Sequence, residues 1–151
     1  ASRAAAASHW VTRPRTAAVL GGPPGRLYVY RIYGLHLCLN VTTEEGSPGA
    51  VLLRALRPVR GLEVMRARRG GRPDRELAAG PARLAQALGV EAAWSGRAFD
   101  DGLRWSAPDE RPDVVAGPRV GVSRAADLPW RFMVRDDPYV SRGGSRRRAA
   151  P

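Results

Sequence analysis

The 151 residues carry 25 basic and 14 acidic side chains, a formal net charge of +11, and 44% are hydrophobic. That length and apolar content suffice for one domain with a core and leave little room for two. No apolar run is long enough to span a bilayer, no signal peptide is recognisable, and the single cysteine, Cys38, excludes an internal disulfide and fits a reducing compartment.

In chain order, residues 1–8 are small and featureless, and 12–25 are loop material ending in the turn signal Pro23-Pro24-Gly25. Residues 27–32 and 35–41, rich in β-branched, aromatic and apolar side chains, are predicted strands joined by a tight turn at Tyr33-Gly34. After a polar loop at 44–49, the nearly continuous apolar run 50–56, broken by Arg54, reads as a strand buried on both faces. A helix is expected over 62–69, with Leu62, Val64 and Met65 set against a basic side. Another is expected over 81–88, where Pro81 takes the first helical position, Leu84 and Leu88 share a face and Gly89 follows as a stop. Between them, 66–75 reads as a solvated basic loop. Residues 92–113 lack periodicity and read as a surface excursion, and 119–123 and 130–134 as two further strands. From Ser141 the Arg-rich end reads as a disordered tail. Consecutive strands outnumber helices, so the expected class is α+β rather than a doubly wound sheet.

Every basic residue is an arginine. Compositional bias accounts for this, yet it has a chemical consequence. Arginine stays protonated and cannot replace lysine in Schiff-base chemistry. Activated water or an acid/base pair must therefore carry any reaction, unless the N-terminal amine acts. Two histidines and one cysteine are also a poor set of metal ligands.

Tyr28 and Tyr30 share one strand face, Leu27 and Val29 the other. Strand tyrosines by themselves are ordinary core packing. Tyr33, at a hairpin tip beside Gly34, is harder to bury, and an exposed ring there can wedge between stacked bases. Asn40 lies on the same face of the return strand as His36 and Cys38, where its amide can read a base edge or satisfy loop backbone. Arg54, inside an apolar run, needs a carboxylate, phosphate or water to offset its desolvation; an ion pair would use Glu45, Asp74 or Glu76. His9 alone would more often be structural than functional. Aromatic faces, an amide and a basic surface together point to a protein that handles a nucleobase within DNA or RNA.

Several segments carry a resemblance when taken in order. They are Ala7-Ser8-His9, Arg13-Pro14-Arg15, the run from Pro23-Pro24-Gly25-Arg26 through Tyr28-Val29-Tyr30 to Tyr33-Gly34, Asn40, and Leu53-Arg54-Ala55-Leu56. Further along come Met65-Arg66, Arg75-Glu76-Leu77, Gly80-Pro81-Ala82-Arg83-Leu84, Gly117-Pro118-Arg119-Val120-Gly121-Val122 and Pro129-Trp130-Arg131-Phe132. The ordered set, from about Ala7 to Ser141, resembles the alkyladenine (3-methyladenine) DNA glycosylase family.

The resemblance implies a single mixed domain, mainly antiparallel and similar to the C-terminal domain of formyltransferases, and a monofunctional base-excision repair enzyme. Such an enzyme needs no metal or organic cofactor and acts as a monomer on double-stranded DNA containing damaged purines. Away from membranes, it would be cytoplasmic and nucleoid-associated in a bacterial cell. Residue by residue, Tyr33 would fill the gap left by the flipped nucleotide. His9 and Tyr30 would line the base pocket with Tyr28 supporting the wall, and Asn40 would crowd the exocyclic amine of guanine. Arg54 would position the attacking water with backbone around Val120 and Val122, and Arg13, Arg15, Arg26 and Arg31 would contact the DNA backbone.

The chain also departs from that pattern. The family's general base is a glutamate in a Glu-Ala-Tyr segment, and an ungapped count from His9 places it upstream of Ala1. Thr16 stands where an asparagine is common. Residues 1–141 are therefore expected to form a glycosylase domain lacking its N-terminal part, followed by an Arg-rich tail at 142–151. A fragmentary sequence and a degenerate paralogue are the competing explanations. The alternative functions are a catalytically inactive module binding damaged DNA and, ranked last, an RNA-binding domain.

Overall fold

A computed structural model describes residues 18–140 apart from 47, 105 and 107. The expectations for the first seventeen residues, His9, Arg13 and Arg15 among them, and for the Arg-rich end fall outside the described residues. Residues 18–20, read from sequence as loop, are helical, and Leu20 is buried.

Two sheets, the helical residues 18–20, three further short helices and a 3-10 turn are found among the described residues, an α+β arrangement. Strands β1 (Leu27–Ile32) and β2 (His36–Thr42) form an antiparallel hairpin, with Leu27 opposite Val41 and Ile32 opposite His36. Strand β3 (Ala50–Leu52) pairs antiparallel with the other side of β2. A separate two-stranded antiparallel sheet joins β4 (Val114–Gly117) to β5 (Arg131–Val134). Helices α1 (Leu62–Arg68), α2 (Asp74–Leu77) and α3 (Pro81–Leu88) follow the first sheet.

The period-two pattern of the hairpin decides where the core lies. Leu27 and Val29 on β1 and Leu39 on β2 point to the same side and meet Leu84, Ala85 and Ala87 of α3, with Ala78, Val90 and Phe99 closing the cluster. Alanines at 85 and 87 let the helix lie close to the sheet.

Four sequence expectations are corrected. The run 50–56 is not a strand buried on both faces: β3 is three residues long, with Ala50 and Val51 exposed. It is an edge with a ladder to β2 alone, and past Leu53 the chain leaves the sheet. There Leu56 N–H donates to the Ala78 carbonyl (3.3 Å) and Ala55 bridges Ala79.

The run 119–123 is no strand. Pro118 has no N–H and Gly121 adopts φ 74°, so this part of the chain turns, and the strand lies earlier, at β4.

Nor are residues 92–113 wholly a surface excursion. After a 3-10 turn at Ala92–Trp94 the chain covers the open edge of β1. Leu27 N–H donates to the Arg97 carbonyl and Phe99 N–H to the Gly25 carbonyl (both 2.8 Å), which inserts Phe99 into the core.

The expected basic loop 66–75 contains the start of α2. Arg66 grips Asp74 with two hydrogen bonds, Nε to Oδ1 at 2.8 Å and Nη2 to Oδ2 at 2.9 Å. Those bonds hold the Asp74 carboxyl below the usual range, so this link is present at neutral pH and is lost on acidification through the lowered pKa.

Helix α3 stops at Gly89 (φ 69°), over which the Arg68 guanidinium lies while donating to the Ala87 carbonyl at 3.1 Å. A Cβ on residue 89 would meet Arg68 Cζ at 2.7 Å. Gly89→Ala therefore adds left-handed strain and displaces the guanidinium. The expected cost is about 1–2 kcal/mol, read as a fall of about 5 °C in a thermal melt followed by circular dichroism.

Candidate functional site

The sheet face opposite the core carries the polar and aromatic groups. Tyr28 stands across from Asn40 and Tyr30 across from Cys38. The two tyrosine rings stack with centroids 5.5 Å apart and planes 24° from parallel. Tyr28 and Asn40 are buried and Tyr30 is half-buried. Asn40 Nδ2 donates to the Tyr28 carbonyl at 3.0 Å. A carbonyl only accepts, so the amide nitrogen must face it, and the orientation of Asn40 is fixed. Burial raises the Tyr30 phenol above its usual range, and a hydrogen bond to Cys38 adds to this. Burial likewise pushes the Cys38 thiol up. Both groups are neutral at physiological pH.

At the far end of the hairpin, Leu35 N–H donates to the Ile32 carbonyl at 3.1 Å and closes the turn. Its central residues, Tyr33 (φ 51°) and Gly34 (φ 71°), are both left-handed, the mirror-image turn that suits the twist of paired strands. Glycine adopts this freely; a tyrosine there is an outlier. Tyr33 is 85% exposed and Leu35 72%, so the expected exposed tip aromatic is where the sequence placed it. Nearby, Arg31 Nη1 donates to the Leu35 carbonyl at 3.3 Å. Arg26 is half-buried, its backbone N–H donating to Thr42 Oγ1 at 2.9 Å.

Arg54 lies just beyond β3 and lines a cleft of about 920 Å³ between residues 50–57 and the β4–β5 sheet with its connecting loop. It makes none of the expected pairings: Asp74 is held by Arg66, and Glu76 lies 4.0 Å from Arg83. Instead its Nη1 donates to the Val120 carbonyl at 3.4 Å, and its Nε is buried with no hydrogen-bond partner among the described residues. Burial, then the positive charge of Arg131, lowers its pKa. Val120 and Val122 line the same cleft. Two carboxylates do so as well, Glu44 and Asp137; the latter is bound by Arg57 at 2.6 Å and by the Tyr139 N–H at 2.8 Å.

Sequence reasoning missed the apolar lining of this cleft, where Trp130 is 43% and Phe132 70% exposed. A two-stranded sheet leaves alternate side chains uncovered, and the alternation along 130–134 was the available signal. It also missed Arg131 as a neighbour of Arg54, because nothing local links two residues so far apart in the chain. No cluster of three or more His, Cys, Asp or Glu that could hold a metal occurs among the described residues. No helix among them is long and apolar enough to cross a membrane.

Comparison with known proteins identifies the family. The sequence model of the family described as Methylpurine-DNA glycosylase (MPG) matches residues 2–138. A Rhodopseudomonas palustris (strain BisB18) protein named "Putative 3-methyladenine DNA glycosylase" is 51% identical over 137 residues, covering 85% of this chain and 65% of that protein. Proteins of the same name from Methanoculleus marisnigri (49% over 131 residues; 82% and 68% coverage) and Nitrosospira multiformis (43% over 139; 90% and 72%) are similar in the same way. The chain thus spans about two thirds of the length of these relatives, 65% of the first and 72% of the last named. On the extent of these matches, the chain belongs to the methylpurine-DNA glycosylase family.

Proposed function

We propose that this chain carries the base-recognition face and wedge of a DNA glycosylase that extrudes alkylated or deaminated purines, of the 3-methyladenine type, and hydrolyses their N-glycosidic bond. The observation that carries the reading is the arrangement of one hairpin. The stacked Tyr28–Tyr30 pair and the oriented Asn40 lie on the face that ends in the exposed Tyr33 tip.

Extruding a purine costs a few kcal/mol, least when it is damaged or mispaired. An exposed ring entering the gap offsets lost stacking, the part assigned to Tyr33. An alkylated purine is cationic, so it leaves readily and is attracted to the faces of electron-rich rings; Tyr30, with Tyr28 behind it, supplies such faces. Water then attacks C1′: a C–O bond forms, the C1′–N bond breaks, and the purine leaves with the bonding electrons. The water's proton must go to a base. Arginine cannot accept it, so Arg54 and the Val120 carbonyl orient the water, and the glutamate of a Glu-Ala-Tyr segment, as in the family pattern, receives the proton. These 151 residues contain no lysine, which supports the monofunctional reading. In this reading the substrate is damaged duplex DNA, the protein acts as a monomer in the cytoplasm, and no cofactor is required.

A second reading, a module that binds damaged DNA without excision, draws on one observation: among the described residues, no carboxylate pairs with Arg54. A single-turnover assay separates the two. Stoichiometric protein is mixed with duplexes carrying hypoxanthine or 3-methyladenine, and abasic sites are revealed by alkali. The 151-residue polypeptide is expected to bind the lesion duplex and excise little. A form preceded by a relative's Glu-Ala-Tyr segment is expected to excise. If that longer form folds and leaves every lesion in place, the glycosylase reading is wrong, and equal affinity for structured RNA would point to an RNA-binding domain.

A further inference from the structure

The hairpin tip poses a conformational problem. Tyr33 sits at φ 51°, a region costing a non-glycine residue about 1 kcal/mol or more, and its ring is almost fully exposed, so no packing holds it there. The turn has one backbone hydrogen bond, from Leu35 N–H to the Ile32 carbonyl. Among the described residues, the only side chain that hydrogen-bonds to positions 33–35 is Arg31, whose Nη1 reaches the Leu35 carbonyl at 3.3 Å. That bond ties the last residue of β1 before Ile32 to the far side of the tip, spanning the two left-handed residues. The guanidinium keeps further N–H donors for a phosphate.

We propose that Arg31 is a positioning residue for Tyr33, holding the tip in the turn that presents the tyrosine ring to DNA. This rests on the reading of Tyr33 as the wedge. Without the brace the turn can relax to conformations in which Tyr33 has negative φ and the ring points elsewhere. Entry into DNA must then reorder the tip, and ordering is a direct loss of affinity. A phosphate contact alone acts differently: it weakens binding to damaged and undamaged duplex alike and lowers the salt slope by about 0.9.

The test is equilibrium binding, by fluorescence anisotropy, to a duplex carrying a stable abasic-site analogue and to its undamaged counterpart over a salt series. Wild type, Arg31→Ala, Arg31→Lys, Tyr33→Ala and the Arg31→Ala/Tyr33→Ala double variant are compared. Arg31→Ala is expected to lower the damaged-to-undamaged affinity ratio about fivefold, and Tyr33→Ala to lower it further. In the Tyr33→Ala background the Arg31 change should leave the ratio unmoved, because nothing remains to be positioned. Arg31→Lys, which keeps a donor, should recover most of the ratio. An intact ratio in Arg31→Ala with equal losses on both duplexes, or full additivity in the double variant, would overturn the proposal. An intact ratio in Tyr33→Ala would instead overturn the wedge reading itself, and the two failures are distinguishable. Both side chains are exposed, so all variants should fold, which thermal melts check.

Discussion

Replacing Arg54 with alanine is expected to slow single-turnover excision by about a hundredfold in the form carrying the Glu-Ala-Tyr segment. Removing one preorganised donor from a site of developing charge typically costs 10²–10³ in rate, roughly 3–4 kcal/mol. Arg54 is set up for such an effect. It is half-buried in the cleft, bonds a backbone carbonyl at 3.4 Å, and has Nε unpartnered among the described residues. The charge is therefore held where solvent screens it poorly. Affinity for the lesion duplex should change much less than the rate, since the wedge and base face lie on other residues. Arg54→Lys should recover little, because an ammonium lacks the planar fork that can serve a carbonyl and a water together. A guanidinium stays protonated across the assay range, so Arg54 should add no inflection to the pH–rate profile. A rate within threefold of wild type in Arg54→Ala would remove this residue from the mechanism.

Leu84→Ala should produce the largest loss of stability. Leu84 is fully buried on α3 and packs in the cluster that joins Leu27, Val29 and Leu39 of the sheet to Ala78 and Phe99. Removing three carbons, Cγ and its two methyl groups, loses transfer free energy and leaves a cavity, together about 3 kcal/mol. Its neighbours Ala85 and Ala87 are too small to refill that space. Total stabilities of about 5–15 kcal/mol make such a loss large, with the thermal midpoint expected to fall by about 10 °C. A chemical denaturation series on the same variant should show a lower midpoint at unchanged slope. A midpoint shift under 2 °C would mean that the helix layer contributes little to the cooperative unit.

How much was legible in the sequence varied with whether the signal was local. The β1–β2 hairpin, the exposed Tyr33 and the limits of α3 could be read because alternation, a glycine beside the turn, and a proline start with a glycine stop are written in adjacent residues. Strand periodicity alone put Tyr28 with Tyr30 and Asn40 with Cys38, but that the two pairs share one face required the register of the ladder. Residues 50–56 misled because their composition matches a central strand, while only the arrangement of neighbours makes β3 an edge. The capping of β1 by residues 95–99 had no periodicity to announce it: its bonds run to a strand distant in sequence.

Sequence by itself determined the family, through an ordered series of motifs, and that these 151 residues hold no lysine for Schiff-base chemistry and a single cysteine. Only the tertiary structure decided what Arg54 touches, because a charge inside an apolar run must be satisfied somewhere and the sequence offered three carboxylates that it does not use. It also decided that Arg31 braces the tip, since the reach of one guanidinium across a turn depends on the turn's handedness. Motifs record which groups are needed; side-chain partners depend on distances that exist only once the chain has folded.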